Sequence, residues 1–284
     1  MPKSTDKLTV VTSSVLREWA LPAVGDSKYG RGEVVVIGGS ERTPGAAMLA
    51  GIAALRVGAG RLTLGVASSV APHVAVALPE SGVVALSLAS LDPIADDLGS
   101  ADVVVLGPGL DDVHEAEALV GQVPDLLRDD SVLLLDAFGL GVLPGLPEVS
   151  ERLAGRLVLT PNTGEAARLL GRDLGDDLSA DIASIAKRYN AVVSCQGEIA
   201  DATGSRWSVG AGGPGLGTSG SGDVLAGAIA GLVARGATPA QGTVWATHVH
   251  AAAGERLAVR VAPLGYLASE ILTELPRVLV EIET

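Results

Sequence analysis

A single cysteine, Cys195, stands among 284 residues, so no intrachain disulfide framework and no cysteine-built zinc site is available. Aromatic side chains make up only 2% of the chain. The core must therefore be aliphatic, and the stacking platforms that hold single-stranded nucleic acid are missing. Twenty Lys and Arg face 33 Asp and Glu, a net charge of −13 that leaves no basic face for a polyanion. Met1 to Glu18 lacks an apolar signal core. No apolar run reaches the roughly 18 residues that span a bilayer. The expectation is a cytoplasmic protein that binds neither membrane nor nucleic acid. Two common motifs are absent as well. Gly39-Ser-Glu-Arg-Thr-Pro-Gly45 has no Gly-Lys-Ser/Thr ending and is not a Walker loop, and Gly220-Ser221-Gly222 is not a serine-hydrolase elbow.

What the chain does have is glycine, 37 of them, and 48% hydrophobic residues, enough for a substantial core. Short β-branched runs alternate with Ala/Leu-rich stretches. Strands are predicted at 33–37, 62–66, 83–86, 102–106, 132–135 and 157–160. Helices are predicted at 44–57, 165–170, 180–189, 223–235, 241–257 and 266–282. Near-continuous apolar strands suit a parallel sheet covered on both faces. The expected architecture is α/β, one three-layer domain over 1–284 with a mostly parallel central sheet and an N-terminal extension at 1–27.

In open α/β sheets ligands sit beyond the carboxyl ends of the strands. Gly38-Gly39-Ser40, Gly107-Pro108-Gly109, Asp136-Ala137 and Thr160-Pro161-Asn162 all fall there. The densest signal is Gly210 to Gly227, a glycine-rich turn running into an apolar helix with Asp223 at the junction. Glycines let backbone approach a ligand, and a helix start offers free N–H groups and a positive dipole end. A carboxylate in such an anion cradle points to proton handling or a metal. The plain alternative is an acidic residue stabilising the first helical turn by ~0.3–1 kcal/mol. Asn162 with Glu165 three residues on reads as a capping box, a role that competes with substrate contact. His248 and His250 point about 200° apart on a helix, so they read as structural or surface residues rather than joint metal ligands. Lys28 and Arg31 are cations ahead of the first strand, available to phosphate or simply solvated.

Taken in order, Lys28-Tyr-Gly-Arg-Gly, Val36-Ile-Gly-Gly-Ser40, Pro44-Gly-Ala-Ala47, Leu106-Gly-Pro-Gly-Leu110, Leu159-Thr-Pro-x-x-Gly-Glu165, Gly220-Ser-Gly-Asp-Val-Leu-Ala-Gly227 and Gly265-Tyr-Leu-Ala-Ser-Glu270 form a series. The series resembles the ribokinase-like superfamily, and within it the ADP-dependent NAD(P)H-hydrate dehydratases. That resemblance implies a ribokinase-like three-layer α/β/α sandwich and a lyase for metabolite repair. It would return the S epimer of hydrated NADH or NADPH to the reduced nucleotide. ADP (or ATP) would be the co-substrate and Mg²⁺ the cofactor, through phosphoryl transfer to the ring hydroxyl and loss of phosphate. It implies Asp223 as the group that activates that hydroxyl. Ala46, Gly109, Asn162 and Asp223 would meet the hydrated cofactor. Cys195, Gln196, Gly197, Glu198, Ile199, Gly220 and Gly222 would meet the nucleotide. A homo-oligomer is implied, with no fused epimerase expected ahead of Lys28 and no protein residue assigned to the metal.

The chain departs from the family pattern at three places. Asn162-Thr163 stands for His-Pro, Phe138 for a second Asp, and the segment Val192-Val-Ser-Cys-Gln-Gly197 lacks a nucleotide-side lysine, here placed at Cys195. Two other readings stay open on the residues alone: a small-molecule kinase of the same superfamily, and a nucleotide-binding protein of weak activity.

Overall fold

The computed structural model describes residues 8–23, 25–87 and 89–284; residues 1–7 of the expected extension lie outside them. The elements run β1 (Leu8–Val10), α1 (Ser13–Glu18), β2 (Glu33–Ile37), α2 (Pro44–Arg56), β3 (Arg61–Ala67), α3 (Ala71–Ala77) and β4 (Gly82–Leu86). They continue through α4 (Ala95–Ser100), β5 (Val103–Leu106), α5 (Val113–Leu126), β6 (Val132–Leu135), α6 (Phe138–Val142), α7 (Pro147–Arg152), β7 (Leu157–Leu159), α8 (Thr163–Leu170) and α9 (Leu178–Tyr189). Last come β8 (Val192–Cys195), β9 (Glu198–Ala200), β10 (Arg206–Ser208), α10 (Ser221–Ala234), α11 (Pro239–Arg260) and α12 (Ala268–Glu283).

The strands form one sheet in the order β1-β10-β9-β8-β7-β6-β5-β2-β3-β4. Every pairing from β8 to β4 is parallel, and only β9 runs against its two neighbours. The expected mostly parallel α/β sheet is thus present, with an antiparallel strand near one edge. Strand periodicity divides the apolar residues between two cores. Val34, Val36, Val103, Val105, Leu134 and Val158 face α2, α10, α11 and α12. Val35, Ile37, Val104, Leu106, Leu133 and Leu135 face the layer that contains α5, α8 and α9.

Six predicted strands are observed within a residue or two. The edge formed by β8, β9, β10 and β1 was not read from the sequence. Its last three strands are three residues each, and Arg206–Ser208 carries no apolar alternation. Within the stretch read as an extension, β1 pairs in parallel with β10, and Arg17 in α1 donates to the Ile282 carbonyl. Among the described residues no helix is long and apolar enough to cross a membrane.

Two glycines of α10 set the position of the site. A Cβ on Gly227 would stand 1.9 Å from the Ala50 carbonyl oxygen, and one on Gly231 would stand 2.4 Å from that of Ala54. Helices α10 and α2 therefore meet backbone to backbone, which brings their N-terminal turns side by side at the carboxyl end of the sheet.

Candidate functional site

Four strand exits meet at that end. The loop after β2 docks on the loop after β5: Gly39 N donates to Pro108 O and Ser40 N to Gly109 O, both at 2.8 Å. Thr43 Oγ1 adds a third bond to the Gly109 carbonyl. A Cβ on Gly109 would meet Thr43 O at 2.4 Å and the Ala46 methyl at 3.0 Å, so Ala46 and Gly109 are in direct proximity. Neither belongs to the wall of the large cavity described below.

Beside them begins α10. Its N-cap, Gly220, has φ 88°, and a Cβ there would meet Leu49 Cδ1 at 2.5 Å. Any other residue at 220 would be strained in backbone and in space. Ser221 N bonds back to Thr218 O, whereas the amides of Gly222 and Asp223 have no backbone acceptor among the described residues. These two donors and the helix dipole are the features that an anion-binding turn requires. The Asp223 carboxyl is partly buried, and that burial pushes its pKa up to about 6. At neutral pH it is ionised yet more basic than an ordinary aspartate, as a general base requires.

The large cavity, about 700 Å³, opens on the other side of this turn. Asn162, Gln196, Gly197 and Gly222 from the sequence-derived set all line it, together with Ser194, Ser221, Thr247, His250 and the 211–217 loop. Gln196 (φ 52°) and Gly197 (φ 84°) form the two-residue turn between β8 and β9, both in the left-handed region as a tight hairpin demands. Cys195 does not reach the cavity. Its side chain is 1% exposed in the opposite core, and burial drives the thiol up to about 12. Strand alternation turns Ser194 into the cavity instead. The position where a cation would face this space is 196, not 195, and it holds a neutral Gln. Ile199 is buried in the core, while Glu198 accepts a hydrogen bond from Ser208 Oγ.

Asn162 is committed as the sequence suggested. Its Oδ1 accepts from Glu165 N at 2.9 Å, and its own N donates to Glu165 Oε2 at 2.8 Å. What remains for the cavity is the amide NH₂.

Two residues were underrated from sequence. Asp136, at the end of β6, is 7% exposed and accepts from Thr160 Oγ1 at 2.8 Å. Burial first, then the charge of Asp223, raise it to about 7. Ala137, immediately after, holds φ 47° and ψ −120°, a conformation rare outside glycine and found where function stores strain. His250 is buried, not a surface residue, and lies 3.1 Å from Ser221 Oγ through Nε2. His248 is buried too, off the cavity wall. Helical spacing told the two histidines apart; it did not tell which neighbour each would meet.

Mg²⁺ has no cage here. Among the described residues no group of three or more His, Cys, Asp or Glu side chains could hold an ion. The donor set fits an Mg²⁺ that arrives on phosphates and keeps its waters, the usual habit of that ion.

The family model described as NAD(P)H-hydrate dehydratase matches residues 34–277. The chain is 41% identical to an ADP-dependent (S)-NAD(P)H-hydrate dehydratase of Xanthomonas campestris pv. campestris, over 96% of each chain. It is 37% identical to a bifunctional NAD(P)H-hydrate repair enzyme of Moorella thermoacetica, covering 90% of this chain and 50% of that one. The chain thus spans about half the length of such bifunctional relatives. In structure it is similar to the ADP/ATP-dependent NAD(P)H-hydrate dehydratase of Bacillus subtilis co-crystallised with ATP/Mg²⁺. The TM-score is 0.80 at 26% identity, over 97% of this chain and 99% of that one.

Proposed function

The chain belongs to the NAD(P)H-hydrate dehydratase family, and from that premise we propose how its own residues carry the reaction. The enzyme is a lyase that dehydrates (S)-hydrated NADH or NADPH at the expense of ADP or ATP. The observation that carries the reading is Asp223, partly buried and raised to about 6, in the first turn of a helix whose Ser221 and Gly222 line the 700 Å³ cavity.

The nucleotide occupies that cavity, its polyphosphate against the Gly222 and Asp223 amides, which neutralise charge that builds during transfer. The hydrated nicotinamide lies on the α2 side, against Ala46 and Gly109, where the absence of a side chain at 109 lets the two loops pack together. Asp223 takes the proton of the ring hydroxyl as that oxygen accepts the terminal phosphoryl group and AMP leaves from ADP, or ADP from ATP. The C–O bond then breaks with phosphate as leaving group, and loss of a proton from the adjacent carbon restores the dihydronicotinamide. Hydroxide leaves poorly and phosphate well, which is the reason for the detour. Mg²⁺, when bound, offsets phosphate charge and is held through the phosphates that the two amides bind. Asn162 meets the ligands with its NH₂ alone and carries no proton. The exposed apolar side chains Val259, Val261, Leu264 and Leu267 support a homo-oligomer, and the acidic, cysteine-poor composition supports a cytoplasmic location.

The test is recovery of reduced-nicotinamide absorbance from hydrated NADH with Mg²⁺ and either ADP or ATP. Recovery that needs the nucleotide supports the reading. ATP consumption confined to a sugar or pyrimidine alcohol would move the protein to the kinases. Nucleotide binding without any turnover would leave a binding protein.

A further inference from the structure

Helix α11 forms the back wall of the cavity, and Thr247, His250 and Ala251 recur there at helical spacing. Thr247 Oγ1 pairs with Ser194 Oγ at 3.1 Å, and His250 Nε2 with Ser221 Oγ at 3.1 Å. The second pair matters more, because Ser221 opens α10 directly before the two free amides. His250 is 7% exposed, and burial pushes its imidazole down to about 4, so near neutrality it carries one ring proton. The hydrogen-bond partner of the ring among the described residues is Ser221, so a proton on Nε2 would be accepted by the serine oxygen.

We propose that His250 is a positioning residue for the polyphosphate, donating from Nε2 to Ser221 Oγ so that the serine O–H turns into the cavity as a third donor beside the Gly222 and Asp223 amides. With the opposite tautomer the hydroxyl proton would be tied to the ring and its lone pairs would face the phosphate. A neutral ring buried behind the serine thus sets the polarity of the group in front. The inference rests on the nucleotide reading above.

Calorimetric titration with Mg·ADP and Mg·ATP tests it on the wild type, Ser221→Ala, His250→Phe, His250→Gln and the Ser221→Ala/His250→Phe double variant. A lost hydrogen bond to a charged phosphate predicts about a tenfold weaker Kd for Ser221→Ala and for His250→Phe. The double variant should be no weaker than Ser221→Ala, because both changes remove one donor. His250→Gln, whose amide can donate from a similar point, should recover most of the loss. In steady state the effect should fall on the nucleotide KM more than on kcat. Additive losses, or wild-type affinity in His250→Phe, overturn the proposal. Imidazole ¹⁵N shifts of the wild type give a check independent of any variant: an Nε2–H tautomer is expected, and an Nδ1–H tautomer sinks the idea. Wild-type protein that binds neither nucleotide removes the parent reading itself and this one with it.

Discussion

The two sides of Asp223 are built from opposite materials. On the cavity side stand donors: the Gly222 amide, the Ser221 hydroxyl and the buried His250. On the sheet side stand acids: Asp136, with Glu165 close enough to be felt, both raised by burial, and neither in an ion pair among the described residues. One side attracts an anion without a formal positive charge. The other repels one and raises the pKa of Asp136. The difference shows how a chain of net charge −13 can hold a polyphosphate. On the proposed reading, oriented dipoles would supply the attraction for the polyphosphate, and the carboxyls would face the end where the proton is taken.

Removing the group that stands between the two sides should have the largest effect. Asp223→Asn is expected to lower kcat by about 10³-fold or more, the upper range for a positioned base, while nucleotide Kd stays within a few-fold. An unaltered rate in that variant would falsify the assignment of the base. Next comes the donor side. A Cβ at Gly222 meets nothing within 4 Å, so Gly222→Val should fold with an unchanged melting temperature yet project into the cradle. We expect nucleotide affinity to drop about 10- to 100-fold, equivalent to about 1.4–2.8 kcal/mol. Equal binding would mean that phosphate lies elsewhere.

The acid side can be probed by pH. Asp136 has its pKa raised in the fold from 3.8 to about 7, so the fold favours its protonated form. That contribution is fully present below the ordinary aspartate pKa and is lost as pH rises through about 7. Asp136→Asn should therefore flatten the fall in stability between about pH 4 and 7. The gain at pH 8 would be a few kcal/mol at most, on the order of 1.4 per pKa unit. Melting curves of both proteins across that range decide it, and parallel curves would refute the burial argument. The smallest effect is expected at the rim. Asn162→Ala removes a cap and should lower stability by about 1 kcal/mol. If kcat/KM is unmoved, the residue's task is to hold α8 in place.

The buried strands were legible because β2, β5 and β6 are almost wholly apolar, and a run of that kind between turn residues admits few alternatives. The anion turn was legible for a related reason, since glycine at that density has few other uses. The β8 to β10 edge was not. Its pairing depends on a left-handed turn at Gln196-Gly197 and on partners far away in sequence, neither of which leaves a periodic trace. Cys195 was placed at the nucleotide with its neighbours, of which Ser194, Gln196 and Gly197 do line the cavity; only the strand register shows that its own side chain points the other way. Asp136 was noted as a strand exit without a role, because its unusual acidity comes from burial and from a residue 87 positions on.

Helix α10 also meets α2 at two points with no side chain between the backbones. With Gly227 and Gly231 pressed on the Ala50 and Ala54 carbonyls, its first turn cannot tilt or slide to greet a ligand. By contrast, most of the 211–217 loop on the cavity wall is exposed. Deuterium uptake should reflect that split, slowest along the seam and fastest in the loop.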